Sequence, residues 1–113
     1  MHSEVKKSLI NSVLAVATLL LVSFLWENTM LLILLLALVS ILMLLNESDK
    51  IALYLFIIAF LLGPLSEALA TYFGAWEYTN PHFLGFSIWL PFVWGNAGLF
   101  FRRINLFLNY LSK

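Results

Sequence analysis

Glu67 stands in the stretch Gly63-Pro64-Leu65-Ser66-Glu67, inside an apolar run and just ahead of the aromatics of Gly74-Ala75-Trp76-Glu77-Tyr78. A carboxyl group in such a place has two chemical uses. Protonated in a dry pocket, it is a general acid that can protonate an alkene or assist the addition of water. Hydrogen-bonded to a neighbouring helix, it is a packing anchor. An ionised side chain at the centre of a bilayer costs at least about 2.5 to 3.5 kcal/mol on the mildest scale, so Glu67 must be neutral, paired, or turned towards protein or water. Trp76, Tyr78, Trp89 and Trp94 are the aromatics expected to line a ligand site beside it, with Ser23 as a polar neighbour from another span. The chain has no cysteine, which removes disulfides, thiolate metal sites and cysteine nucleophiles. Glu77 and His82 lack the tight spacing of a ligand set, so neither a metal nor a cofactor is expected.

The elements that must hold Glu67 follow from hydropathy. Of 113 residues, 63% are hydrophobic and 11% charged, more apolar surface than a domain of this size can hide from water. A spanning helix needs about 20 mostly apolar residues. Four segments approach that length, at about 8–26, 29–45, 51–73 and 84–101, followed by a tail at 102–113. The expected fold is therefore all-α: one integral membrane domain of four transmembrane helices, arranged as two antiparallel hairpins, with a short C-terminal interfacial helix. In the tail, Ile104, Phe107, Leu108 and Leu111 share one helical face, which suits an interface or a continuation of the fourth span. Lys6 and Lys7 before Ala15-Val16-Ala17 resemble a signal peptide, but the apolar run continues to Trp26 and cleavage would cut it midway.

With four spans, every Lys and Arg falls on one side: Lys6, Lys7, Lys50, Arg102, Arg103 and Lys113. The positive-inside rule then makes both termini cytoplasmic, in the cell membrane, and so strong a bias disfavours a dual-topology antiparallel assembly. The sequon-like Asn46-Glu47-Ser48 falls on the same side and carries no glycan expectation. A net charge of zero offers no basic field for nucleic acid. In the turn at 46–50, Asn46 suits a helix end and Ser48 or Asp49 the following cap.

The second half holds all three prolines, all five glycines and three of the four tryptophans. Pro64 lacks an N–H and its ring presses on the carbonyl of Phe60, so a kink or break is expected there, with Glu67 in the first turn beyond it. Pro91 is expected to kink the fourth span in the same way and to free the carbonyl of Ser87. At 1.5 Å per residue, Glu67 sits about 9 Å inside the outer boundary, near the depth of Ser23 and Trp89 and about 9 Å shallower than Asn96. Gly95, Ala97 and Gly98 offer close helix approach, with Asn96 bonding across the contact, while Gly63 belongs to the Gly-Pro break. Asn11, Ser12, Thr18, Ser23 and Ser40 on the first two spans read as polar glue between helices.

The run from Gly63 to Gly95 resembles a pattern in small prokaryotic integral membrane proteins: Gly-Pro and Glu, then Gly-x-Trp-x-Tyr, an Asn-Pro turn, Trp-Leu-Pro and Trp-Gly. It is also distantly similar to carotenoid-biosynthesis membrane proteins of the hydratase and lycopene cyclase kind. That likeness implies that Glu67 matches their membrane acid, and Gly74, Trp76 and Tyr78 their aromatic motif. Where the cyclases carry Pro-Leu-Glu-Glu, this chain has Pro64-Leu65-Ser66-Glu67.

Three functions are compatible with these residues. The first is an intramembrane site for an apolar isoprenoid or lipid-like ligand, with Glu67 as catalytic acid and the pocket completed by a second copy or a membrane partner. The second is a non-catalytic subunit or assembly factor, with Glu67 as a hydrogen-bond anchor between helices. A proton or cation pathway ranks last, because the inner halves of the spans carry no ionisable residue to continue a relay.

Overall fold

In the computed structural model, which describes residues 3–76 and 87–112, the chain is all-helical. Among the described residues there are four helices: α1 (Ser3–Leu25), α2 (Thr29–Glu47), α3 (Lys50–Tyr72) and α4 (Leu90–Leu111). The first three are long and apolar enough to cross a membrane. The molecule measures 45 × 27 × 21 Å, its long axis close to the full thickness of about 40–45 Å of a bilayer with its headgroups.

Local chemistry accounts for the turns. Asn28 caps α2 by accepting from the Leu31 N–H, and α2 ends where Ser48 takes the left-handed conformation at φ 55°. Asp49 is the N-cap residue of α3, yet its carboxylate makes no cap bond because Arg102 takes it. Gly74, at φ 83°, ends α3 as the sequence suggests. The N–H of Gly74 reaches Thr71 O at 3.0 Å and that of Ala75 reaches Ala70 O at 3.0 Å, the paired bonds of a Schellman motif.

Several boundaries differ from the sequence expectation. Asn46 is not a helix end: α2 continues to Glu47, and the Asn46 amide turns inward to Asn11 Oδ1 and Lys7 O, 2.9 Å each. α3 passes through Pro64 as one helix, so Glu67 lies five residues before its C-terminus rather than opening a new half-helix. The Ser66 hydroxyl donates to the carbonyls of Leu62 and Gly63, at 2.9 and 2.8 Å, and steadies the turn around the proline. Pro91 occupies the first turn of α4, where a missing N–H costs nothing, and the Leu90 N–H bonds Ser87 O at 3.0 Å. The Ser87 carbonyl is therefore engaged. The tail is not a separate interfacial helix, because α4 runs unbroken from Leu90 to Leu111. Residues 84–86, the expected start of the fourth span, lie outside the described residues.

α4 is the hub: it packs against α1, α2 and α3, whereas α3 rests almost wholly on α4 and does not meet α1. The apolar core gathers Val39, Met43, Ala52 and Leu99, with Leu14, Phe56 and Phe100 packed around it. The outward faces of α1, α2 and α3 are studded with exposed Leu, Ile, Val and Phe, the pattern of helices whose solvent is lipid.

Candidate functional site

The two sides of α4 do different things, and its rotation decides where every polar group goes. Trp94, Gly95 and Gly98 face α3. A Cβ placed on Gly63 would lie 2.1 Å from the Trp94 indole, one on Gly95 would lie 2.4 Å from the Phe56 ring, and one on Gly98 would lie 2.9 Å from Ala59 Cβ. The three glycines thus admit an indole, a phenyl ring and a methyl group, and the two backbones approach accordingly. Phe60 and Phe92 add an edge-to-face contact at 5.2 Å. On this face Trp94 Nε1 donates to Glu67 Oε2.

A partner of Glu67 is therefore Trp94, five residues further along the chain than the Trp89 that the depth count favours. The reason is the helix start. Counted from Leu90 rather than 84, Trp94 is about 6 Å into α4, and Glu67 is about 7.5 Å from the end of α3. Ser23 is not a neighbour: it is exposed on α1 and donates to Leu19 O at 2.8 Å. Trp76 is 47% exposed beyond α3, and Trp89 is half-buried at the N-cap of α4 without a side-chain cap bond. Tyr78, Glu77 and His82 lie outside the described residues.

Two residues on from Trp94, a turn of about 200° puts Asn96 on the opposite side of α4. Asn96 is 1% exposed. Its Oδ1 accepts from the Ser40 hydroxyl at 2.6 Å, its amide donates to Thr18 Oγ1 at 3.0 Å, and Thr18 donates on to Leu14 O at 3.1 Å. This ladder ties α4 to α1 and α2, so the contact that Asn96 bonds across lies within the chain, on the side of α4 away from the glycines. Asn96→Leu is expected to cost about 1 kcal/mol, because cross-helix bonds in membranes average about 0.6 kcal/mol each and both hydroxyls can fall back on their own helix carbonyls. Unfolding of the reconstituted chain in a detergent titration measures it.

Midway along α4 a third cluster assembles, from the 46–50 turn, the polar face of α1 and the arginine pair of α4. Glu47, its side chain 0% exposed, receives four hydrogen bonds. Arg103 Nε reaches its Oε2 at 2.8 Å while Arg103 Nη2 grips its Oε1, a two-pronged guanidinium fork. Arg102 Nη1 reaches Oε1 at 3.0 Å, and the Asn11 amide reaches Oε2 at 2.7 Å. All four acceptor positions of the carboxylate are thus filled. Arg103 also reaches Glu4 Oε2 at 2.8 Å, and Arg102 reaches Asp49. The cluster joins α1, α2, the α2–α3 turn and α4. A signal for it exists in the sequence: Glu4, Asn11 and Thr18 recur every seven residues on α1 and all three turn inward.

With all its acceptor positions filled, the Glu47 carboxylate has none left for a substrate. Comparison with family models, with curated proteins and with solved structures finds no match. The geometry alone must carry the functional reading.

Between α1 and α4, two cavities follow one another. One, of about 290 Å³, is bounded by Ala15, Val16 and Leu19 on one helix and Val93, Ala97 and Phe101 on the other. The second, of about 200 Å³, lies further along the same seam, between Val5, Ser8 and Ser12 and the side chains of Arg103, Ile104 and Phe107.

Proposed function

We propose that the chain is a multi-pass protein of the cell membrane, crossing it four times as two antiparallel hairpins with both termini cytoplasmic, and that it serves as a non-catalytic membrane subunit or assembly factor. The observation that carries the non-catalytic reading is the Trp94–Glu67 bond across α3 and α4. It uses the one acid of the second hairpin's membrane segments as helix glue. The gathering of Glu4, Glu47, Asp49, Arg102 and Arg103 supports a single charged end, to which the positive-inside rule assigns the cytoplasm. α3, held almost wholly by α4 and apolar on its outer face, is the surface offered to a membrane partner.

The competing reading, an isoprenoid or lipid-like ligand protonated by Glu67, makes the opposite forecast for one substitution. Glu67→Gln keeps an acceptor for the indole N–H, so fold and association should survive with a change below about 1 kcal/mol. Glu67→Leu leaves the indole N–H unpaired and should cost about 1–3 kcal/mol. Affinity purification of the native-membrane complex in mild detergent, with wild type and Glu67→Gln side by side, tests both. A co-purifying membrane protein retained by the glutamine variant supports the subunit reading. A chain that stays alone and monomeric, or a bound isoprenoid lost on Glu67→Gln, overturns it.

A further inference from the structure

The seam between α1 and α4 is long, apolar along most of its length and polar at one end. On α1 its wall runs from Val5 to Leu19 and on α4 from Phe107 to Val93, fourteen residue steps on each helix, or about 21 Å. One leaflet of a bilayer has that depth: about 15 Å of hydrocarbon and roughly 5–7 Å of headgroup zone. Leu9, Val16, Leu19 and Phe101 along it are each more than half exposed. At its far end lies Ser8, whose Oγ is buried yet is the only buried side-chain polar atom without a hydrogen-bond partner among the described residues. Lys6 and Lys7 near the start of α1 and Lys50 at the start of α3 belong to that end of the bundle, as do the paired Arg102, Arg103, Glu4, Glu47 and Asp49: five cations against three carboxylates, an excess of two positive charges among the described residues.

We infer that this seam is a binding groove for a single anionic glycerophospholipid of the leaflet at the charged end. One acyl chain lies over Leu9, Val16 and Leu19, and the phosphodiester meets the Ser8 hydroxyl and the surplus lysines. An apolar partner helix would suit this groove poorly, because Ser8 and the lysines would meet apolar side chains. A lipid's ester and phosphate oxygens accept from them instead. The site is separate from the Trp94–Glu67 contact, so it stands whether or not the subunit reading does.

The full chain, reconstituted in an equimolar mixture of phosphatidylcholine and phosphatidylglycerol and re-extracted, is examined by native mass spectrometry. Two surplus cations at the surface favour the anionic lipid roughly thirtyfold, so one phosphatidylglycerol per chain is expected. Ala97→Phe and Val16→Phe fill the groove from its two walls, and each should bring retained lipid to background while circular dichroism shows the helices intact. Leu61→Phe, on the exposed face of α3, should retain lipid as the wild type does. Equal retention by the groove-filled variants, phosphatidylcholine held as well as phosphatidylglycerol, or a lipid-free dimer would overturn the assignment.

Discussion

Glu47→Ala is expected to cost the fold about 3–5 kcal/mol, the largest effect of any single side-chain truncation in this chain, because it strands a buried cation. Arg103 is 3% exposed, and without Glu47 its Nε and Nη2 lose their acceptors while only Glu4 stays in reach. The Asn11 amide and Arg102 Nη1 lose theirs as well. Glu47→Gln should fall between: one carbonyl oxygen still accepts, but the NH₂ group faces donors that it cannot serve. The double change Glu47→Met with Arg103→Met should recover much of the loss, since replacing a buried ion pair by apolar groups of similar volume is often neutral. Unfolding of each variant in a detergent titration measures the series. A Glu47→Ala chain as stable as the wild type would mean that the cluster is solvated.

Gly63→Leu should detach α3 from α4. The first added carbon alone would overlap the Trp94 ring, at 2.1–2.6 Å from three of its atoms. Overpacking of this kind costs about 1–3 kcal/mol in a core that can shift, and more where it cannot. Here the indole is held by Glu67 on one side, and α3 has almost no other helix to lean on. The chain contains no cysteine, so Phe60→Cys with Phe92→Cys, at rings that meet across α3 and α4 with centroids 5.2 Å apart, makes a clean reporter. A short bis-maleimide should bridge the two thiols in the parent and fail to do so in the Gly63→Leu background. Undiminished cross-linking would show that the indole has room to turn aside.

Both results bear on how the molecule divides its polar residues. Glu67 is the conspicuous acid, deep in an apolar run, and it meets the indole N–H of Trp94 at the α3–α4 contact. Glu47 looks like part of a solvated turn, yet it is the most completely hydrogen-bonded carboxylate among the described residues. Hydropathy marks Glu67 because its neighbours in the chain are apolar. It passes over Glu47 because burial there comes from α1 and α4, far away in sequence.

What the sequence determined by itself is what depends on a residue and its near neighbours. Helical character, the three segments able to span, the stop at Gly74 and the small residues of the last helix that admit a close neighbour are of this kind. Each rests on backbone bonds that close within four residues, on length, or on side-chain size. Only the tertiary structure decided which polar groups meet. That depends on where α4 begins and how it is turned. Starting at Leu90 brings Trp94 to the level of Glu67, and a turn of about 100° per residue sends Asn96 to Thr18 and Ser40 and Arg103 to Glu47. A helix one residue out of register would point each of these side chains into a different neighbour, and no local property of the chain sets that angle.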